Sequence, residues 1–168
     1  MERIETTAIR NLIHNEEYCR KVLPFIKEEY FIDRLEKLIF TEIYQFVNKY
    51  NNLPTKESLS IEMNTNKGVS EDEYKRMNEI ISSLNPEPIN LDWLVETTEV
   101  WCKDRAIHNA ILGGIQILDG KDKDHTPEYL PEMLSEALSV SFDQKVGHDY
   151  LLESKERYDY YNRKEERL

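Results

Sequence analysis

Glycine is scarce in this sequence, with 5 residues among 168. None of them belongs to a glycine-rich loop followed by Lys and Ser or Thr, the segment whose backbone amides cradle nucleotide phosphates. Because that loop is missing, we expect that the chain alone does not hydrolyse nucleotides. Gly113 and Gly114 interrupt a helical pattern, where each glycine costs roughly 1 kcal/mol relative to alanine. Their position predicts that another helix packs closely against the backbone there.

Cysteine is scarcer still. Cys19 and Cys102 stand alone, with no second Cys or His at metal-ligand spacing, which is typical of reduced, partly buried thiols in a cytosolic protein. The adjacent pair His148 and Asp149 could serve a metal-dependent phosphohydrolase, but that chemistry needs further ligands and an open position for water. We therefore predict no catalytic residue, no metal site and no cofactor site, and keep the phosphohydrolase as an alternative.

Long apolar runs and basic clusters are also missing. The longest uncharged stretch, 106–118, is shorter than the roughly 20 residues that a helix needs to cross a bilayer. The first residues do not read as a signal peptide. A formal net charge of −11 argues against binding to the phosphate backbone, which requires clustered Lys and Arg. We expect a cytoplasmic protein that contacts neither membrane nor DNA directly.

Helical spacing of apolar residues recurs along the chain, whereas strand-type alternation is nearly absent. The first half predicts an irregular helical stretch broken at Pro24, and helices over 3–14, 33–50, 55–63 and 70–84. Asp33 with Glu36, and Ser70 with Glu73, both fit the capping box that begins a helix.

The second half predicts a long helical hairpin. One helical pattern, which Asn90 caps, runs without a break to Leu118 and would be roughly 40 Å long. Gly120 ends it, and a second amphipathic helix follows from Thr126 to Phe142. The last turns of the long helix are apolar on nearly every side, so one returning helix cannot cover them. We therefore expect the hairpin to associate with another copy or another protein.

The predicted hairpin interface comprises apolar positions of these two helices. They are Leu94, Trp101, Ile107, Ile111, Ile115, Leu118, Leu130, Met133, Leu134, Ala137, Leu138 and Phe142.

The last residues predict a docking element. Gly147 suggests a hinge, and a strongly charged helix follows from Asp149 to about Arg167. A narrow apolar and aromatic stripe on such a helix is typical of an anchor for a neighbouring protein. Its members are Tyr150, Leu151, Tyr158 and Tyr161.

These patterns predict an all-α protein in three parts. A small globular helical bundle covers 1–88, and a projecting antiparallel hairpin for oligomerisation covers 89–143. A hinge and linker helix cover 144–168.

Segments of this sequence resemble those of a known protein family. The run from Asp92 to Glu99 (DWLVETTE), with Arg105 and Asn109 beyond it, resembles the hairpin of replicative helicases from T4-type bacteriophages. Residues 137–143 (ALSVSFD) and 146–149 (VGHD) are similar to the segment that joins that hairpin to the linker helix.

The resemblance implies the amino-terminal domain and linker helix of a DnaB-like hexameric helicase, which uses ATP to unwind DNA in the 5′ to 3′ direction. Its RecA-type motor domain, which binds ATP and Mg, is expected to begin just after Leu168. In this family the hairpins pair, and the amino-terminal domains form a collar that helps to recruit primase. The linker helix docks on the neighbouring motor domain. The implied partners are further copies of the chain, primase and a helicase loader.

The residues themselves leave a second class open. A free-standing phage adaptor or inhibitor could bind a host protein through the same hairpin. Both classes expose the same kind of apolar surface, so composition and spacing do not separate them.

Overall fold

A computed structural model describes residues 2–142, and these are helical with no strand. The expected all-α fold is confirmed. The α-helices are α1 (Ile4–His14), α2 (Glu16–Val22), α3 (Arg34–Tyr50), α4 (Lys56–Asn64), α5 (Glu71–Ser83), α6 (Leu91–Leu118) and α7 (Leu130–Leu138). Short 3₁₀ turns cover Leu23–Phe25, Glu28–Tyr30 and Pro127–Tyr129. The predicted hinge, linker helix and His148–Asp149 pair lie outside the described residues.

Polar side chains cap the start of α4, α5 and α6. Thr55 accepts a hydrogen bond from the backbone N–H of Ser58, and the predicted capping box of Ser70 and Glu73 is present in both directions. Asn90 accepts a hydrogen bond from the backbone N–H of Trp93 and so begins α6. Each cap satisfies a backbone donor that the first turn of a helix leaves unpaired.

The predicted capping box at Asp33 is only half present. The Asp33 carboxylate accepts hydrogen bonds from the backbone N–H groups of Leu35 and Glu36. The Glu36 side chain does not return to the cap, because it lies buried and pairs with the Arg3 guanidinium at 2.5 Å. Glu36 therefore joins α3 to the residue before α1, and the predicted reciprocal bond is wrong.

The core lies where α1, α2 and α3 meet the first half of α6, with α4 and α5 closing one side. Its fully buried side chains include Ile9, Leu12, Tyr18, Phe31, Ile39, Ile43, Leu59, Met63, Met77, Ile81, Leu84 and Leu94. Because α6 contributes Leu94, Thr98 and Cys102 to this core, its first half belongs structurally to the bundle. The boundary expected after residue 88 stays a prediction about domains.

The return helix is shorter than predicted. We expected α7 to continue to Phe142, but it ends at Leu138. The chain then leaves the hairpin, and the Phe142 ring stacks on Phe25 of the bundle with ring centroids 4.6 Å apart. The residues that periodicity assigned to the end of this helix therefore pack against the bundle instead.

Candidate protein–protein interface

Small residues allow α6 and α7 to approach closely. Ala110, Gly114 and Ile117 are buried on the inner face of α6. A methyl group placed on Gly114 would lie 3.0 Å from Leu130 Cδ2, whereas one on Gly113 would lie 3.7 Å from Met133. The glycine pair thus packs against α7, as its position in the sequence predicted.

Side chains on α6 fix the hairpin to the bundle. Arg105 Nε donates a hydrogen bond to the Tyr30 carbonyl oxygen at 2.9 Å. One turn later, Asn109 Nδ2 donates to the Glu29 carbonyl oxygen, also at 2.9 Å. These bonds satisfy two carbonyl groups of the 3₁₀ turn and hold α6 where it leaves the bundle.

A second attachment follows α7. The backbone N–H of Phe142 donates a hydrogen bond to Glu99 Oε2 at 2.6 Å. Together with the stacking on Phe25, it returns the chain to the bundle beside α6. The hairpin is therefore attached at both of its ends.

One face of the hairpin remains uncovered by the described residues. Large apolar side chains are exposed along it: Ile111 51%, Leu112 49%, Ile115 48%, Leu118 67%, Leu134 39% and Leu138 58%. Monomeric proteins rarely expose contiguous apolar patches of this kind, and such patches mark interaction sites.

Helix geometry places most of these residues on the same side. Each residue turns a helix by about 100°, so Ile111, Ile115 and Leu118 lie to one side of the inner face of α6. Leu134 and Leu138 lie to one side of the inner face of α7, which is marked by Ala137. Because α7 runs antiparallel to α6, both sets point in the same direction. We call these five residues the hairpin face.

The predicted interface residues divide into three groups. Leu94, Trp101, Ala137 and Phe142 are buried within the chain, so a partner cannot reach them in this conformation. Ile107, Leu130 and Met133 are partly buried. The five members of the hairpin face are exposed. Periodicity identified apolar positions but did not show which of them the bundle would cover.

Three exposed apolar residues of α6 are absent from the predicted interface. Besides Leu112, they are Trp93 and Val100 in the first half of the helix, which are 53% and 59% exposed although neighbouring apolar residues are buried. Their exposure depends on which side of α6 meets the bundle, and only the three-dimensional arrangement supplies that information.

Burial shifts the pKa of both cysteine thiols among residues 2–142. Burial raises the pKa of the Cys19 thiol to about 11 and raises the pKa of Cys102 as well, so both thiols stay protonated at neutral pH. No group of three or more His, Cys, Asp or Glu in the described part of the chain could hold a metal ion. Within the same residues, no helix has the length and apolar character needed to cross a membrane.

Taken together, the described residues form an all-α domain whose exposed surface suits contact with another protein. No family model matches the chain. The chain is similar to the DnaB-like replicative helicase of Enterobacteria phage T4, with 32% identity over 151 residues. The match covers 85% of this chain but 32% of that protein, so the chain spans about a third of the relative's length. This similarity supports a relationship to DnaB-like replicative helicases.

Proposed function

We propose that this chain is the amino-terminal collar of a DnaB-like hexameric replicative helicase, which assembles through its hairpin and helps to recruit primase. ATP and Mg would act in a separate motor domain, and the parent protein would work in the host cytoplasm. The similarity to the phage T4 helicase supports the replicative role. The hairpin face is the observation that carries the assembly role.

Paired copies would remove the hairpin face from water. Each of the five residues exposes between 39% and 67% of its surface, and burying a Leu or Ile side chain gains roughly 1.5–3 kcal/mol. Association must also offset the loss of translational and rotational freedom. Because about half of each side chain is already covered, ten of them would contribute roughly 8–15 kcal/mol, which is of the same order as the roughly 4–15 kcal/mol that association costs.

Self-association can be tested with Ile111→Asp combined with Ile115→Asp. Both side chains are about half exposed in the described chain, so the variant should keep its helical content while its light-scattering mass falls to that of a monomer. Gln116→Asp is the matched control, because Gln116 is exposed on the same turns of α6 but points away from the hairpin face. The control should associate like the parent chain.

Two results would contradict the assembly role. A parent chain that stays monomeric at high micromolar concentration would contradict assembly through the hairpin. Loss of helical circular dichroism in the double variant would instead place Ile111 and Ile115 in the intramolecular core.

Primase recruitment needs its own measurement. We expect purified phage primase to bind the chain in isothermal titration calorimetry, and a helicase loader is a further partner to titrate. Absence of primase binding would contradict recruitment and leave self-association standing.

The hairpin face would serve a free-standing adaptor or inhibitor equally well, so the parent gene must separate the two classes. A reading frame that continues past codon 168 to a glycine-rich Lys-Ser/Thr loop supports the helicase collar. A stop codon at that point would favour the adaptor.

A further inference from the structure

A small pocket lies between the second half of α3 and the last turn of α4. Its volume is about 130 Å³, whereas a single water molecule needs roughly 10–15 Å³. The pocket therefore has room for the end of one long side chain. Its lining residues are Glu42, Gln45, Phe46, Lys49, Tyr50 and Glu62. None of them belongs to α6 or α7, so this pocket is separate from the hairpin face.

Helix spacing brings the lining residues together. Those contributed by α3 follow one another at steps of three or four, counting from Glu42 through Gln45 and Phe46 to Lys49 and Tyr50. Residues at this spacing lie on one side of an α-helix. Packing of α4 against α3 then places Glu62 across from them.

Two carboxylates of the pocket lack a counter-ion. Within residues 2–142, neither the Glu42 nor the Glu62 side chain makes a hydrogen bond or an ion pair. Partial burial raises the pKa of Glu42, and the charge of Glu62 raises it further. A partly buried carboxylate without donor or cation is unfavourable, so the pocket has the charge that attracts a cation.

Aromatic rings form another part of its wall. The rings of Phe46 and Tyr50 have centroids 4.7 Å apart and are tilted by 50°, and half of the Tyr50 side chain is exposed. The Lys49 ammonium lies 5.2 Å from the centroid of the Tyr50 ring. One cation of the chain thus already contacts this wall, as expected for the negative face of an aromatic ring.

We propose that this pocket binds the side chain of a lysine or arginine that belongs to a partner protein. Glu42 and Glu62 would accept hydrogen bonds from its cationic group, because charge-assisted bonds to carboxylates are the strong ones. Phe46 and Tyr50 would pack against its methylene groups and its cationic end. The proposal does not depend on pairing of the hairpins.

Nuclear magnetic resonance titration of the isotope-labelled full chain tests the pocket. The probes are N-acetyl-arginine amide and N-acetyl-lysine amide. Either probe should shift the backbone amide signals of Phe46, Tyr50 and Glu62, and the shifts should saturate. N-acetyl-citrulline amide has nearly the shape of the arginine probe without its charge, and it should cause no such shift.

Charge removal inside and outside the pocket provides a matched comparison. Glu42→Gln combined with Glu62→Gln should weaken binding of the arginine probe about tenfold. Glu57→Gln combined with Glu79→Gln removes the same charge from exposed positions of α4 and α5 outside the pocket. This control should leave the dissociation constant nearly unchanged.

A gain of affinity gives a test that misfolding cannot imitate. Lys49 lines the pocket, and its charge repels a second cation that enters there. Lys49→Gln should therefore tighten binding of the arginine probe about threefold.

Three results would overturn the proposal. Shifts that spread over the acidic surface without saturating would show general charge attraction only. Equal weakening by the two double variants would show the same. A Lys49→Gln variant that binds no more tightly than the parent chain would contradict a cation site beside Lys49. Since every substitution lies outside α6 and α7, these results are independent of the self-association test.

Discussion

At the scale of single residues, the hydrogen bond between Tyr18 and Thr98 is a sensitive element of the core. The two oxygens lie 2.7 Å apart, and Thr98 Oγ1 donates its own proton to the Leu94 carbonyl oxygen. Tyr18 must therefore be the donor to Thr98. Burial raises the pKa of Tyr18, so the phenol remains protonated throughout the accessible pH range.

Removing the Tyr18 hydroxyl and removing the Thr98 hydroxyl should therefore lower the free energy of unfolding by different amounts. Tyr18→Phe should lower the free energy of unfolding by about 1 kcal/mol, because Thr98 keeps its bond to Leu94. Thr98→Val should lower it by about 2–3 kcal/mol, because the buried Tyr18 hydroxyl loses its acceptor. Urea unfolding of the two variants measures the difference. Equal losses would contradict the assigned donor.

Glu42 on α3 gives a pH-dependent prediction at the same scale. Partial burial, together with the nearby charge of Glu62, raises the pKa of Glu42. A carboxyl group whose pKa is raised by folding destabilises the folded chain once both states are ionised, and this penalty disappears when both are protonated. Glu42→Gln should therefore raise the melting temperature at pH 7 but not at pH 3. A stabilisation that persists unchanged at pH 3 would show that the charge is not responsible.

At the scale of elements, the crossing of α6 and α7 distinguishes two adjacent glycines. Alanine is favoured over glycine within a helix by roughly 1 kcal/mol. At Gly113 the added methyl group would make an ordinary contact with Met133, 3.7 Å away, whereas at Gly114 it would press on Leu130 at 3.0 Å. Gly113→Ala should raise the free energy of unfolding by up to about 1 kcal/mol.

Gly114→Ala serves as the matched comparison. In this variant the stabilisation expected from placing alanine in a helix should be reduced or cancelled, because Leu130 must move to accommodate the methyl group. Thermal unfolding followed at 222 nm compares the two variants under identical conditions. If Gly114→Ala stabilises the chain as much as Gly113→Ala, Leu130 does not pack there as described.

Helix positions were largely predictable from the sequence because their caps are local. Ser70, Thr55 and Asn90 each accept a hydrogen bond from a residue three positions ahead, so a short stretch of sequence contains the whole interaction. The partner of Glu36 was predicted incorrectly because its true partner lies 33 residues earlier, before α1. The end of α7 was missed for the same reason, since the decisive contact joins its carboxyl-terminal segment to a distant ring of the bundle.

The candidate site was less predictable than the helices. Spacing identified Ile111, Ile115 and Leu118 as apolar, and they are exposed. Spacing placed Leu94 and Trp101 in the same set, although both lie in the core. An amphipathic pattern shows that a face needs covering, but it does not say whether the covering element belongs to the same chain.

At the scale of the whole molecule, the net charge of −11 opposes the proposed pairing, because two copies of the same sign repel. Raising the ionic strength from about 0.1 M to 1 M shortens the Debye length from about 10 Å to about 3 Å. The dissociation constant of the dimer should therefore fall as sodium chloride is added, which sedimentation equilibrium measures. A dissociation constant that rises with salt would indicate an interface held by opposite charges.

The two attachments of the hairpin also determine how it would respond to force. A hairpin held at a single point could rotate about that point. A hairpin held at two points moves only if the hairpin or the bundle deforms. Arg105 and Asn109 anchor one limb, and Phe142 anchors the other. A pull or twist applied at the tip near Gly120 would therefore be transmitted to the bundle through both sets of contacts.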